Sequence, residues 1–409
     1  MITAELRRAI LAAAGRADGD PQLRPAGPGR YASSLPFRLT TPGQDPREVA
    51  AAMAARLETE PWIATAEVTG AGYLTVTVTP DALAALAVRI PRAGPACAAS
   101  DALQGRTVPD PPSADPLTQP TWPRARAVLA AQLTARLATT AGATLFFPKR
   151  RLLPPPAPES PSPAQNGPAV AAVPASPIPR ETSPAVAAVP ASPIPRETGP
   201  AVAAVPASPI PRETGPAVAA VPASSIPRET GPVVAAVDYA GAEPEPVVAA
   251  VAYAGPDAVR FALARMPPGA AAPEPALVAR HVLANPAYAV RYAHAAAAAV
   301  LRWAAVLGTS PAGFRPRLLA ELSGSDELAL LDVLSWLPER VAVAAHRGRP
   351  DEFAGYLEEL AARTIDTMDT TGFTTISSIS SERLWLADAA RTALAAGLGL
   401  LGVGAPDRL

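Results

Sequence analysis

Cysteine is almost missing from this chain. Cys97 stands alone among 409 residues, which excludes an internal disulfide and a cysteine-based zinc site. Lysine is equally scarce: of 35 basic residues only Lys149 is a lysine. Any contact to a polyanion therefore falls to guanidinium groups, which bind in bidentate fashion. No sign of charge dominates. Basic and acidic residues number 35 and 36, a net of −1, so no global cationic field draws the chain to nucleic acid or to an anionic membrane. There is no glycine-rich phosphate loop, no His-Glu-x-x-His and no Gly-x-Ser-x-Gly. Glu5, Arg7 and Arg8 interrupt the amino terminus where a signal peptide needs an apolar run, and later apolar stretches are broken by charge or glycine. The expectation is a soluble, cytoplasmic protein with no metal, no cofactor and no membrane partner.

What is present is organised around residues 285–308, NPAYAVRYAHAAAAAVLRWAAVLG. Asn285 is a good N-cap, Pro286 suits the first helical position, and Gly308 can supply the left-handed turn that ends a helix. At 100° per residue Val290, Ala297, Leu301 and Ala304 form an apolar stripe. Nearly opposite lie Tyr288, Arg291, Tyr292 and Arg302, a cationic and aromatic set suited to phosphates and base faces. His294 sits beside the stripe, with a hydrogen-bonded structural role and an RNA contact both open.

Upstream, residues 2–14 have helical spacing. A Pro/Gly-rich loop, 21–29, precedes a predicted strand over 31–39. Asp45-Pro46-Arg47-Glu48 predicts a capped helix to about Leu57, Gly70-Ala71-Gly72 joins strands 63–68 and 73–78, and Thr79-Pro80-Asp81 opens another helix. Residues 1–92 are thus read as a small α+β domain. Residues 93–150 read as a linker with one amphipathic helix, 124–141, and a basic cluster, 147–151. From Pro168 a 16-residue unit recurs four times, with a decayed fifth copy, and residues 151–250 hold 24 of the 52 prolines. Such a segment buries too little apolar surface to offset its ordering entropy, so 151–252 is expected to be a disordered spacer biased to polyproline II, not a solenoid. Four units would span at most about 200 Å at ~3.1 Å per residue. Helical patterns return over 253–409 and predict an all-α bundle.

DPREVAAAMAARL followed by WIATAEVTGAGYLTVTV resembles the amino-terminal domain of arginyl-tRNA synthetases, and Gly29-Arg30-Tyr31 is similar to that family's Gly-Asp-Tyr segment, with Arg30 in place of the acid. GPDAVRFALAR, NPAYAVRYAHA and the terminal LADAARTALAAGLGLLGVGAPDRL occur in the order seen at the end of the same enzymes and resemble the DALR-type anticodon-binding domain. The whole resembles ArgS-related anticodon-binding proteins of actinobacteria, which keep a synthetase's two ends around a missing middle. Departures are Arg291 for Gln, Ala289 for an aromatic, Ala296 for Arg and Leu409 for Met. The catalytic signatures are absent: no histidines pair as His-x-Gly-His, and Lys149 has no Met-Ser-Lys beside it.

The resemblance implies a non-catalytic tRNA-binding protein whose amino-terminal domain touches the tRNA elbow while the helical bundle holds the anticodon side. Candidate contacts are Tyr288, Arg291, Tyr292, Arg302, Arg30 and Tyr31. A flexible tether would raise the effective concentration of one end for a tRNA held by the other. Two alternatives stay open: a scaffold that has lost RNA binding and recruits a protein through the Pro-rich repeats, and residual arginine–tRNA ligase activity.

Overall fold

A computed structural model describes residues 1–146 and 247–409, apart from 18, 323 and 371–380. The 16-residue repeats and the basic cluster 147–151 lie outside the described residues.

The amino-terminal part is α+β. Helix α1 (Ile2–Ala13) is followed by strands β1 (Leu23–Gly27) and β2 (Arg30–Ser33), and by helices α2 (Leu35–Leu39) and α3 (Pro46–Leu57). Strands β3 (Ile63–Thr69) and β4 (Tyr73–Val78) then form a hairpin, and α4 (Pro80–Ala84) and α5 (Leu86–Ala93) close the segment. The four strands make one antiparallel sheet in the order β1-β2-β4-β3, with Tyr31 opposite Val76 and Ala66 opposite the same valine from the other side. Local chemistry explains the helix starts: the Asp45 carboxylate accepts from Arg47 N at 2.9 Å, and the Thr79 hydroxyl accepts from Ala82 N. At the hairpin turn Gly72 has φ +128°, and a Cβ there would come within 2.7 Å of Pro46 Cβ. Only glycine fits that approach.

The strand expected over 31–39 is shorter, and its second half is α2. Pro36 falls in the first turn of that helix and the Ser33 hydroxyl accepts from Leu35 N, so the backbone turns helical where alternation alone reads as strand. β1 lies inside the stretch read as loop.

Beyond α5 come two 3-10 turns, Gly94–Ala98 and Pro116–Thr118, a short parallel pair β5 (Thr107–Pro109) and β6 (Thr144–Phe146), and between them α6 (Trp122–Thr140). The helical part comprises α7 (Val247–Ala254), α8 (Pro256–Arg265), α9 (Pro275–Val278), α10 (Pro286–Val306), α11 (Pro316–Leu322), α12 (Ser325–Ser335), α13 (Leu337–Arg347), α14 (Pro350–Thr370) and α15 (Ser381–Leu401). α10 packs on α14 and α15. α15 is long and apolar enough by length and composition to cross a membrane, but 61% of that window is buried against the rest of the fold, as in a core helix.

The largest departure from the sequence reading concerns the two ends. The described residues within 1–146 and 247–409 make one compact unit, not separate domains. Thr3 Oγ1 donates to Ser335 O at 2.7 Å, Gly29 N donates to Asp332 Oδ1 at 3.0 Å, and α5 packs on α15. Nor is 93–150 a linker: Leu129, Leu133 and Leu137 of α6 are buried in the same core, against α8 and α13. A helix with such a stripe needs a covering surface, and the carboxy-terminal bundle provides it. Arg126 and Arg136 secure the contact by donating to the carbonyls of Met266 and Leu400.

Candidate nucleic-acid interface

α10 runs as its caps dictate. The Asn285 carboxamide oxygen accepts from Ala287 N, its Nδ2 donates to the Val278 and Arg280 carbonyls, and Gly308 turns the chain at φ +71°. Val290, Ala297 and Ala304 are buried and Leu301 half-buried, so the predicted stripe faces the core. The opposite side carries a short aromatic ladder. Tyr288 lies between His281 and Tyr292, with ring centroids 5.4 Å and 5.8 Å apart and interplanar angles of 13° and 25°. Tyr292 and His281 are exposed and Tyr288 half-buried. Stacked rings open to solvent form a platform onto which a further π-face can be laid, whatever base carries it.

Arg291 is half-buried beside the ladder, and its Nε is buried without a hydrogen-bond partner. Arg302 is spoken for: its Nη1 donates to the Asp407 carbonyl at 2.7 Å. A carbonyl accepts without cancelling the charge, so Arg302 stays cationic but has a positional duty. His294 is buried, and its Nδ1 donates to the Pro406 carbonyl at 3.0 Å. Burial lowers its pKa, with the Pro406 bond pulling the other way. The hydrogen-bonded structural role holds for His294.

Together with Arg260, which donates to Gly402 O at 2.6 Å, and Asp257, which accepts from Gly404 N, these residues strap the tail 402–409 along α8 and α10. A 390 Å³ hollow between α8, α9 and the start of α10, lined by Phe261, Met266, Leu277, Arg265 and Arg280, opens beside the N-cap.

Of the two amino-terminal candidates, Arg30 is exposed at the head of β2. Tyr31 is not available to a ligand. Its side chain is 0% exposed, its hydroxyl donates to Ser335 Oγ at 2.8 Å, its ring lies 5.2 Å from that of Trp336, and burial pushes its pKa well up. Tyr31 is a docking residue between the two ends. Sequence reasoning also missed two side chains: His281, which precedes the helix and so escapes any helical wheel, and Trp303, 67% exposed on α10. Cys97 is buried and its thiol pushed up to about 12 by desolvation, so it offers no thiolate near neutrality. Among the described residues no cluster of His, Cys, Asp and Glu could hold a metal ion.

Comparison with known proteins finds likenesses at the two ends of the chain. The sequence model of the arginyl tRNA synthetase N terminal domain matches residues 1–78, and that of the DALR anticodon binding domain matches residues 290–409. At both ends the chain is similar to arginyl-tRNA synthetases. Arginine–tRNA ligase of Clavibacter sepedonicus is 41% identical over 130 residues, 31% of this chain and 23% of that enzyme. The ligase of Kineococcus radiotolerans is 41% identical over 139 residues, 32% of this chain and 24% of the enzyme. The Thermus thermophilus arginyl-tRNA synthetase structure aligns at 26% identity over 41% of this chain and 28% of the other, with a TM-score of 0.32, too low for the superposition to carry an argument. The chain thus spans about a quarter of the length of these relatives. The two matched segments lie at either end of the given sequence, and residues 79–289 fall outside both matches.

Proposed function

We propose that this protein binds tRNA without aminoacylating it. The observation that carries the reading is the solvent-facing His281–Tyr288–Tyr292 ladder with Arg291 beside it, straddling the first residues of the segment that matches the anticodon binding domain. Stacking rings and an incompletely bonded guanidinium are what single-stranded loop bases and their phosphates require. Arg30, exposed on the amino-terminal sheet, supplies a second point of contact. The tethered two-domain grip is not needed in this reading, because both ends already share one core. Loss of catalysis is supported by the sequence: a class I synthetase stabilises the charge developing on ATP with paired histidines and a mobile lysine, and this chain has neither His-x-Gly-His nor Lys-Met-Ser-Lys.

The test is to sequence the RNA that copurifies with the native protein and to compare wild type with Arg291→Gln in a filter-binding titration. The expectation is strong tRNA enrichment and a several-fold weaker variant, whose log K against log salt slope is shallower by about 0.7. Copurified RNA dominated by messenger fragments would overturn the reading. ATP–pyrophosphate exchange with arginine is expected to stay at background; turnover would restore the ligase alternative.

A further inference from the structure

A second site lies far from the ladder in chain position. Where α1 and α2 face α13, with segment 101–106 along one side, the fold leaves a cleft of 1010 Å³. It exists only because the two ends dock directly on one another. Among the described residues its walls carry five arginines against three acids. Arg347 is neutralised by Glu352 at 3.0 Å. Among the described residues, none of the remaining four has a carboxylate within ion-pair distance.

Three of the four are held in a way that keeps the charge. Arg7 donates to the Gly19 and Ala102 carbonyls at 2.5 and 3.2 Å, and Arg8 Nε to its own helix at Ala4 O. Arg106 Nη1 lies 3.2 Å from His346 Nδ1; a guanidinium has no lone pair, so the imidazole accepts there and leaves the cation whole. Arg38 is exposed on α2. The acids answer weakly. Glu339 is 6% exposed and burial raises its pKa against the pull of Arg7. Asp20 accepts from Gln22 N, and Asp101 is exposed on the rim. A concave surface with an excess of one sign of charge focuses its field, and among the described residues the excess here is basic, in a chain whose net charge is −1.

We infer that this cleft is an oxyanion site that takes phosphate groups. Its size admits several phosphates, and planar guanidinium forks match their oxygens two at a time. The same chemistry serves an RNA backbone or a free polyphosphate. As an RNA contact it rests on the function proposed above and adds a backbone grip to the ladder's base stacking; as a site for a small phosphorylated ligand it stands without it.

The experiment uses the full chain. Arg8→Gln, Arg38→Gln and Arg106→Gln are combined, sparing Arg7, whose two carbonyl bonds tie the loop before β1 to segment 101–106. The control combines Arg47→Gln, Arg92→Gln and Arg124→Gln, three exposed arginines off the cleft. Both triples and wild type are titrated with tRNA and with tripolyphosphate, and their thermal midpoints compared. The expected result is a loss of about tenfold or more in affinity for the cleft triple, with the control within twofold and both midpoints unchanged. Retained tRNA binding with lost tripolyphosphate binding assigns the cleft to a free ligand. If wild type binds tripolyphosphate through the cleft but no tRNA, the cleft stands and the tRNA reading falls. Equal losses in the two triples, or no binding of either probe that the cleft triple weakens, overturn the inference.

Discussion

Two tyrosine-bearing segments match the synthetase pattern, one at each end, and the structure uses them in opposite ways. Around Tyr31 the pattern is turned inward: ring against Trp336, hydroxyl on Ser335, no exposed surface. Around Tyr288 and Tyr292 it is turned outward, as a ladder open to solvent. A residue within a segment matched to a synthetase domain can thus lie wholly inside the fold. Matching residues alone do not say which has happened.

The sharpest way to break the contrast is to truncate the buried ring. Tyr31→Ala should destabilise the fold by about 3–5 kcal/mol, the range for removing a large aromatic from a core, and a denaturant titration reads it directly. Tyr31→Phe should cost only about 1 kcal/mol, the net worth of one buried hydrogen bond. A stable Tyr31→Ala variant with weakened tRNA binding would reverse the assignment. The outward pair should behave the other way. Tyr288→Ala with Tyr292→Ala should leave the unfolding midpoint in place and weaken tRNA binding by about 1–3 kcal/mol for each base that loses its stacking partner.

The smallest effect concerns His294, which shares α10 with the ladder but faces inward. Its folded pKa lies below the ordinary 6.5. The unfolded chain therefore binds the proton more readily, and stability falls as pH drops below about 6.5 and levels off once the folded pKa is passed. His294→Gln should flatten that part of the stability–pH curve relative to wild type. A curve of unchanged shape would show that the imidazole is not desolvated.

Much of this was legible from local signals. The ends of α10, the capped start of α3 and the β3–β4 hairpin follow from residues within a few positions of each feature, and they lie where the spacing predicts. What was not legible is long-range. Nothing near Tyr31 announces that Ser335 will stand over it, because alternation marks a buried face without naming its cover. The apolar stripe of α6 was visible, but a stripe alone cannot tell a linker helix from a core helix. α7 escaped because VVAAVAYA carries neither cap nor periodicity. His281 joined the ladder through a loop geometry that no helical spacing encodes.

The strapped tail gives the molecule a point of leverage. Its carbonyls and amides are gripped by Arg260, Asp257, His294 and Arg302, whereas Leu409 itself is 55% exposed. A fluorophore fixed to Leu409 would ride beside α10 without prising anything loose. A protease cut before Gly402 would leave four side chains without their partners, and the helix would lose its inner brace while its outer rings stayed covalently intact. Capture of tRNA should then decay together with the melting temperature, a signature that separates a failing brace from a failing platform.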